Sequence, residues 1–531
     1  MDKKRFYITT PIYYPSAKLH IGHAYCTVLS DVFARYKRMR GFECFFLTGA
    51  DEHGQKIEKN AAAAGKTPQQ FVDEIVEGFY KLWNLLEISN DDFIRTTQER
   101  HWKVVQDIFT KMLKNDDIYL GEYEGWYCTP CEAFWTETQV GPDHICPDCG
   151  RPVQKAKEEA YFFKTKKYVD SLLKFYDENP QFLTPESRKN EMINTFIKPG
   201  LDDLCISRTS FKWGVPIREN DRHVIYVWLD ALTNYITALG YGSKDESLFK
   251  KFWEDPECEV IHILGADITR FHAIYWPMFL ESLGLRKPDR EFIHGLLMMR
   301  DSKMSKSKGN VVDPYPLVER YGVDAVRYYL TREVTFGNDG SFTPEQFIER
   351  INLDLANSYG NLLNRTVSMI NKYFDGIIPE YKGDVTPFDA SLRMTAESVI
   401  KLYESSLDDL KITEAFVQVN ELVSRANKYI DETEPWVLSK EGKIEELASV
   451  MNHLANAIFI ASKLYEPVLV KASKGAFDQL GIPEDKRGYE AVYKFGNVQG
   501  YKVNKGNPLF PRLDANIEVP FIQELMNGKK D

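Results

Sequence analysis

The chain lacks the features that would send it into a membrane or out of the cell. None of its 531 residues belongs to an unbroken apolar run of about 18, the length a spanning helix needs, so no membrane span is expected. The opening Met1-Asp2-Lys3-Lys4-Arg5 runs directly into a strand-like stretch with no apolar h-region. No secretory signal is therefore expected, and a soluble cytoplasmic protein is. Low-complexity tracts are absent as well. Positive charge is in short supply: a net charge of −11 argues against a generally basic surface for nucleic acid. It does not exclude one, because phosphate contact needs a local patch rather than a basic average. Arg151, Lys155, Lys157, Lys164, Lys166 and Lys167 offer one cluster, and Arg365 with Lys372 another, although most charge runs are only solvated faces.

What is present is apolar and aromatic, at 43% and 13% of the chain, enough for well-filled cores. The length exceeds a single core, so about two to four domains are expected. Two short peptides carry most of the chemistry: His20-Ile21-Gly22-His23 and Lys303-Met304-Ser305-Lys306-Ser307. The first stands where a strand passes into a helix. Phe6 to Thr9 are aromatic and β-branched, and Pro11 and Pro15 then break the chain. From Ile21 the apolar Ala24, Tyr25, Val28, Leu29, Val32 and Phe33 recur at helical spacing until Gly41. Cys44 to Thr48 reads as a buried strand, which makes residues 6–48 one βαβ unit. In such a unit a nucleotide lies beyond the strand's carboxyl end, where unpaired N–H groups at the helix start attract phosphate.

Each residue type in these peptides has a physical task. Gly22 carries no side chain, so a flat adenine has access to the helix backbone. His20 and His23 offer imidazole N–H donors to phosphate oxygens. Lys303, Lys306 and Lys308, followed by Gly309-Asn310, suit a mobile loop that carries cations onto a leaving pyrophosphate. Taken singly, the peptides also read as a capped surface helix and a solvated lysine loop. Together, in this order, they point to nucleotide chemistry.

At these residues the chain resembles the class I aminoacyl-tRNA synthetases, whose signatures are written HIGH and KMSKS, and within them the methionyl branch. The matching stretches are Thr10-Pro11-Ile12-Tyr13-Tyr14, Gly49-Ala50-Asp51-Glu52-His53-Gly54, Tyr226-Val227-Trp228-Leu229-Asp230-Ala231, Gly265-Ala266-Asp267-Ile268, and Lys303 through Asn310. Further matches fall at 357–365 and 434–436. The resemblance implies an α/β fold: a Rossmann-type parallel-sheet catalytic domain, split by a zinc-knuckle insertion and followed by an α-helical bundle. The implied divisions are 1–115 and 213–341 for the two halves of the catalytic domain, 116–212 for the insertion and 342–531 for the anticodon-binding bundle. The second half includes the second signature loop and a stem-contact region.

The implied activity is that of a methionine–tRNA ligase. ATP activates L-methionine to methionyl-adenylate with release of pyrophosphate, and methionine then passes to the 3′ end of tRNA(Met), for initiation and elongation. His20, His23, Lys303 and Lys306 are the implied catalytic residues. His20, Gly22, His23, Asp267 and Lys306 are the implied ATP contacts, with Mg²⁺ accompanying ATP. No side chain need act as a covalent nucleophile, because the substrate carboxylate attacks the α-phosphate and the protein supplies alignment and charge stabilisation.

Of the eight cysteines, four form Cys128-Thr129-Pro130-Cys131 and Cys146-Pro147-Asp148-Cys149-Gly150. Two C-x-x-C turns at this separation match a tetrahedral four-thiolate zinc knuckle. Disulfides are the alternative, disfavoured in a reducing compartment, and His144 stands close as a substitute ligand. Four protein ligands leave no open position, so the metal is expected to be structural. In the family the knuckle belongs to the insertion, and one four-cysteine set implies one zinc ion. Cys26, Cys44, Cys205 and Cys258 read as core residues.

A methionine pocket must accept a flexible uncharged thioether, for which aromatic and weakly polar groups are the chemical answer. Ile268, His272 and Trp276 share one face of an expected helix after Val260 to Leu264. Trp228 and Tyr235 share a face if their segment is helical, and Ile12 and Tyr13 are expected in the loop after the first strand. Both tryptophans also read as ordinary core residues; it is the family's methionine site that favours function for this set. Asp51 follows a buried strand and resembles the carboxylate that holds the substrate ammonium, with Glu52 as the alternative. Asp267 is expected near the ribose or the substrate carboxylate. Between His23 and Lys303 there is room for the knuckle but not for the large editing domain of the relatives for isoleucine, valine and leucine.

From about Phe342 long helical stretches are expected at 345–374, 388–408, 412–430, 441–463 and 466–480, which read as a bundle. Asn361, Arg365 and Trp436 match the family's anticodon-reading positions, and an exposed aromatic with an arginine suits single-stranded bases. Trp436 also reads as a helix-start anchor after Glu434-Pro435. The bundle runs close to Asp531 without the β-barrel that some relatives use to dimerise, so a monomer is expected. Two other readings stand beside the leading one. One is another class I synthetase, or a smaller nucleotidyltransferase; the aromatic pocket disfavours the first, and the bundle and knuckle the second. The other is an RNA-binding or assembly factor derived from such an enzyme, which decay of a signature would support; both are intact.

Overall fold

The computed structural model describes residues 4–131, 133–135, 137–299, 302–303, 312–334 and 337–527. The chain forms two compact units: Met1–Leu19, Gly41–Asn84 and Ser89–Gly295 make the first, and His20–Arg40, Leu85–Ile88 and Leu296–Asp531 the second. No helix among the described residues is long and apolar enough to cross a membrane.

The first unit is built on a six-stranded parallel sheet. The strands are β1 (Arg5–Tyr13), β2 (Glu43–Ala50) and β3 (Asp92–Arg95), with Cys258–Gly265, Arg290–His294 and Leu183–Thr184 continuing the sheet on the other side of β1. Every pairing is parallel. Such strands are covered on both faces and so read as continuous apolar runs; Phe6, Tyr7, Ile8, Phe46, Leu47, Ile261 and Ile263 are fully buried. The strand order reverses beside β1, and in open α/β sheets ligands bind outside the carboxyl ends at that reversal.

β1 runs through Pro11, four residues beyond the expected Thr9 counted as Thr10, Pro11, Ile12 and Tyr13. Its register against β2 shifts between Thr9 and Ile12, which is where a proline without an N–H can sit in a ladder. Ile12 and Tyr13, expected in a loop, therefore pair with Gly49 and Ala50 as the last residues of the strand. Gly49 permits this closeness: a Cβ there would lie 2.2 Å from the Ile94 carbonyl oxygen and 2.8 Å from the Ile12 side chain. An antiparallel sheet within the same unit joins Ala133–Trp135, Ile118–Cys128, Gln154–Phe163 and Leu204–Cys205.

The second unit is helical. It includes α1 (Ile21–Met39), which connects β1 to β2 along the chain, and the helices Val323–Arg332, Asn361–Tyr373, Asp389–Asp408, Ile412–Thr433, Pro435–Lys440, Ile444–Tyr465 and Ala472–Gln479. The expected helix 345–374 is interrupted by widened π-type turns over Ile351–Gly360, where the Ser358 hydroxyl donates to the Leu353 carbonyl at 2.8 Å. Ile412–Thr433 ends on Glu434, held at φ 42° before Pro435. The helix expected to begin at 466 begins at Ala472; before it, the carbonyls of Pro467 and Val468 accept from the Arg327 side chain.

One buried ion pair organises this unit. Arg327 and Asp31 are both fully buried, 2.7 Å apart. The guanidinium also donates to the carbonyls of Leu86 at 3.0 Å, Pro467 at 2.8 Å and Val468 at 3.1 Å. Asp31 accepts from Arg35 at 2.7 Å as well. Four chain segments thus meet on one planar cation, the geometry for which arginine is suited. At the far end of α1, Lys37 reaches Asp408 at 3.0 Å and Arg40 donates to the Tyr36 hydroxyl at 2.8 Å. Removing one partner of a buried pair strands the other, so Arg327→Met should lower unfolding free energy by about 3–5 kcal/mol in urea titration. The double variant Asp31→Leu/Arg327→Met should recover much of that loss.

Candidate active site and metal centre

A cavity of about 170 Å³ opens within the first unit. Ile12 from the end of β1, Asp51 just past β2, Trp228 and Ala231 from the helix Val227–Leu232, Tyr235 from Asn234–Thr237, and Ile268 and His272 from the segment after Cys258–Gly265 all line it. Tyr14, Asn234, Pro130 and Cys131 also line it, and Pro11, Val227 and Leu232 complete the wall. Six of the residues named from the sequence, Ile12, Asp51, Trp228, Tyr235, Ile268 and His272, thus meet on one cavity.

Two others do not line it. Side chains alternate along a strand, so Ile12 faces the cavity while Tyr13 packs its ring edge-on against Trp83 with centroids 5.5 Å apart. Trp276 is fully buried one layer behind: its indole N–H donates to His262 Nε2 at 3.3 Å, and Tyr235 stacks on His262 at 4.1 Å. The expected regular helix through Ile268, His272 and Trp276 is a short 3₁₀ turn, a widened turn over Phe271–Tyr275 and an α-helix from Trp276. Asp267 is exposed at the carboxyl end of the strand Cys258–Gly265.

Hydrogen bonding fixes the electrical character of the cavity. The Tyr235 hydroxyl meets His272 Nε2 at 2.7 Å, and His272 Nδ1 meets the Ile268 carbonyl at 3.1 Å. A carbonyl only accepts, so Nδ1 carries the proton and the tyrosine donates to Nε2. Burial pulls His272 down to about 4, against the opposing pull of the Ile268 carbonyl and Asp267, so the ring is neutral at neutral pH. Among the described residues of the wall, Asp51 is then the one carboxylate. Its neighbour Glu52 is fully buried and engaged elsewhere, paired with Arg95 at 2.6 Å and bonded to Thr97. Of these two neighbours, Asp51 lines the cavity and Glu52 does not. An uncharged pocket with one carboxylate matches a substrate with an ammonium group and an apolar side chain.

At the start of α1, His20 and His23 cap each other. His20 Nδ1 accepts from the Gly22 amide at 3.1 Å, and His23 Nδ1 accepts from the His20 amide at 3.1 Å. The rings lie 3.9 Å apart. Since both Nδ1 atoms accept, each neutral ring carries its proton on Nε2. The open backbone donors expected at this helix start are in use: the Ile21 amide donates to Val312 and the His23 amide to the His20 carbonyl. A Cβ on Gly22 would lie 3.0 Å from the His20 ring, so the glycine protects the cap. Lys303 lies in the short strand Ser302–Lys303, while Lys306 and Lys308 lie outside the described residues.

Cys128, Cys131, Cys146 and Cys149 bring their four sulfurs within 4.8 Å of one another. The Cys128–Cys149 and Cys131–Cys146 separations are 3.5 and 3.8 Å, too long for disulfides. A tetrahedral ion with metal–sulfur bonds of about 2.3 Å requires sulfurs about 3.8 Å apart, so the cluster fits a metal ion. Burial pushes the Cys128 thiol up to about 12; a divalent cation reverses this by favouring thiolate. His144 instead stacks on Trp126 at 3.8 Å. In the second unit, Asn361 and Arg365 lie on adjacent turns of one helix, and Arg365 reaches Asp431 at 3.5 Å near the end of Ile412–Thr433. Trp436, just beyond in Pro435–Lys440, is 46% exposed.

Sequence reasoning missed a buried cluster beside the cavity. Asp230, fully buried, accepts from His53 Nδ1 at 2.7 Å and His101 Nε2 at 2.9 Å. His53 and Asp230 stand inside the two stretches already singled out, but His101 has no local signal.

A family model described as "tRNA synthetases class I (M)" matches residues 6–158 and 150–367, and one for the "Anticodon binding domain of methionyl tRNA ligase" matches 378–515. The chain is 56% identical to the Methionine--tRNA ligase of Halalkalibacterium halodurans, over 100% of this chain and 81% of that protein. It is 55% identical to that of Bacillus subtilis, over 99% and 81%. Its structure is similar to Mycobacterium tuberculosis methionyl-tRNA synthetase in complex with methionyl-adenylate, with TM-score 0.91 and 41% identity over 96% of this chain and 100% of that one. For the sulfur cluster, elemental analysis should find about one metal ion per chain, and Cys128→Ser should lose most of it, since thiolates supply the binding free energy of a structural site.

Proposed function

This chain belongs to the methionyl branch of the class I tRNA synthetases, and from that premise we propose how its own residues carry out methionine–tRNA ligation. The observation that carries the reading is the cavity: aromatic and aliphatic walls, a neutral His272 and, among the described residues, a single carboxylate, Asp51. L-Methionine places its ammonium on Asp51 and its thioether among Trp228, Tyr235, Ile268 and His272. Its carboxylate oxygen bonds to the α-phosphorus of ATP, and pyrophosphate leaves with the electrons of the broken P–O bond.

The Nε2–H groups of His20 and His23 donate to phosphate oxygens as charge moves onto them. Lys303 and Lys306 neutralise the departing pyrophosphate, and Mg²⁺ accompanies the nucleotide. Asp267 contacts the ribose. In the second step a terminal ribose hydroxyl of tRNA(Met) attacks the methionyl carbonyl, and AMP leaves. Asn361, Arg365 and Trp436 read the anticodon, for which the exposed indole supplies a stacking face. The four-cysteine cluster holds one structural zinc ion. The functional divisions we assign are 1–115 and 213–341 for catalysis, 116–212 for the insertion and 342–531 for anticodon binding, in a cytoplasmic enzyme serving initiation and elongation.

A charge-assisted hydrogen bond to the ammonium contributes about 1.5–3 kcal/mol. Asp51→Asn should therefore raise the methionine KM roughly 10- to 150-fold and leave the ATP KM unchanged in ATP–pyrophosphate exchange. An equal rise in both would remove Asp51 from the ammonium site. Trp436→Ala tests the other step. Loss of a stacked base should weaken aminoacylation of tRNA(Met) by roughly 5- to 150-fold, from about 1–3 kcal/mol per base, while exchange, which needs no tRNA, survives. Equal loss of both activities in a folded variant would make Trp436 an architectural residue.

A further inference from the structure

Asp230 is a buried charge that neither chemical step uses. It sits in the helix that carries Trp228, and each of its carboxylate oxygens takes one imidazole N–H: Oδ2 from His53 at 2.7 Å and Oδ1 from His101 at 2.9 Å. His53 follows Asp51 and Glu52 in the chain, and its ring stands edge-on to Trp213 at 5.5 Å. His101 enters from the helix Glu99–Lys114, and its other nitrogen meets the Thr237 hydroxyl at 2.7 Å. Thr237 ends the short helix Asn234–Thr237 that carries Tyr235. The direct contacts, at hydrogen-bond length, leave no room for a metal ion among these three side chains.

We propose that Asp230 is a positioning residue for methionine, tying the Asp51 loop through His53 to the helices of Trp228 and Tyr235, so that the ammonium-holding and thioether-holding walls keep one spacing. The proposal rests on the reading of the cavity as the methionine site. Burial alone would favour a protonated carboxyl, but His53 and His101 hold Asp230 at about 2. It is therefore ionised, and both oxygens accept. An asparagine there has one acceptor oxygen and turns an N–H toward the second imidazole, so one of the two ties is lost without a change of volume. Because the two walls contact different ends of the substrate, loosening their spacing weakens binding of methionine and leaves ATP binding alone.

The test uses the full chain, with methionine titrated by calorimetry and both KM values taken from ATP–pyrophosphate exchange. Asp230→Asn should raise the methionine Kd and KM about tenfold, equivalent to about 1.4 kcal/mol, with the ATP KM and the saturated exchange rate held. His53→Ala should do the same. His53→Asn, whose side-chain N–H takes the place of Nδ1–H, should restore methionine affinity, which a merely structural role does not predict. Unchanged methionine affinity in Asp230→Asn and His53→Ala, or methionine and ATP constants rising together, overturns the proposal. If Asp230→Asn does not fold, the two His53 variants decide alone. A native chain that binds no methionine overturns the cavity's assignment and this inference with it; a native chain that binds, beside variants that bind equally well, overturns the inference alone.

Discussion

The helix that carries the first signature depends on the buried pair of Arg327 and Asp31. α1 is buried around nearly its whole circumference, so a charge in its middle must be answered inside the protein. Arg327 answers it and spends its remaining N–H groups on three carbonyls from two other segments. Desolvating both charges is expensive, and a pair of this kind adds little net stability over well-packed apolar residues. What it does impose is geometry: one planar cation satisfies Asp31, Leu86, Pro467 and Val468 in only one arrangement. The direction of α1 is thereby set, and with it the direction of the His20 and His23 rings at its start.

In the first unit, burial sets the chemistry of the cavity. Enclosure with a tyrosine donor and a carbonyl acceptor keeps His272 uncharged. Among its described residues the cavity then offers one carboxylate, Asp51, and otherwise apolar or weakly polar surface. Size alone discriminates poorly among aliphatic side chains. Selectivity in such a site comes from contacts to sulfur by aromatic and imidazole groups.

Much of this was legible in the sequence because the signals are local. The strand–helix–strand start and the two C-x-x-C turns follow from periodicity and motif spacing, and six of the cavity residues from the resemblance to the family's methionine site. Where the geometry departs from the expected spacing, the causes are physical. In the sequence Pro11 reads as the end of a strand, whereas a register shift carries β1 past it to Tyr13. That parity turns Tyr13 toward Trp83 and leaves Tyr14 on the cavity. Trp276 shares helical spacing with His272, but widened turns and the intervening Tyr235 put it one layer back. The mutual capping of His20 and His23 needs side-chain geometry that no spacing rule contains. The Asp230 cluster joins residues from three distant parts of the chain, and His101 belongs to no motif.

The central claim is that the cavity selects methionine and couples it to ATP. ATP–pyrophosphate exchange, measured with each of the twenty amino acids on the native chain, tests it most directly. The account predicts exchange driven by L-methionine well above every other amino acid, with charged side chains inactive. Equal or stronger exchange with leucine, isoleucine or valine, or none with methionine, would contradict it.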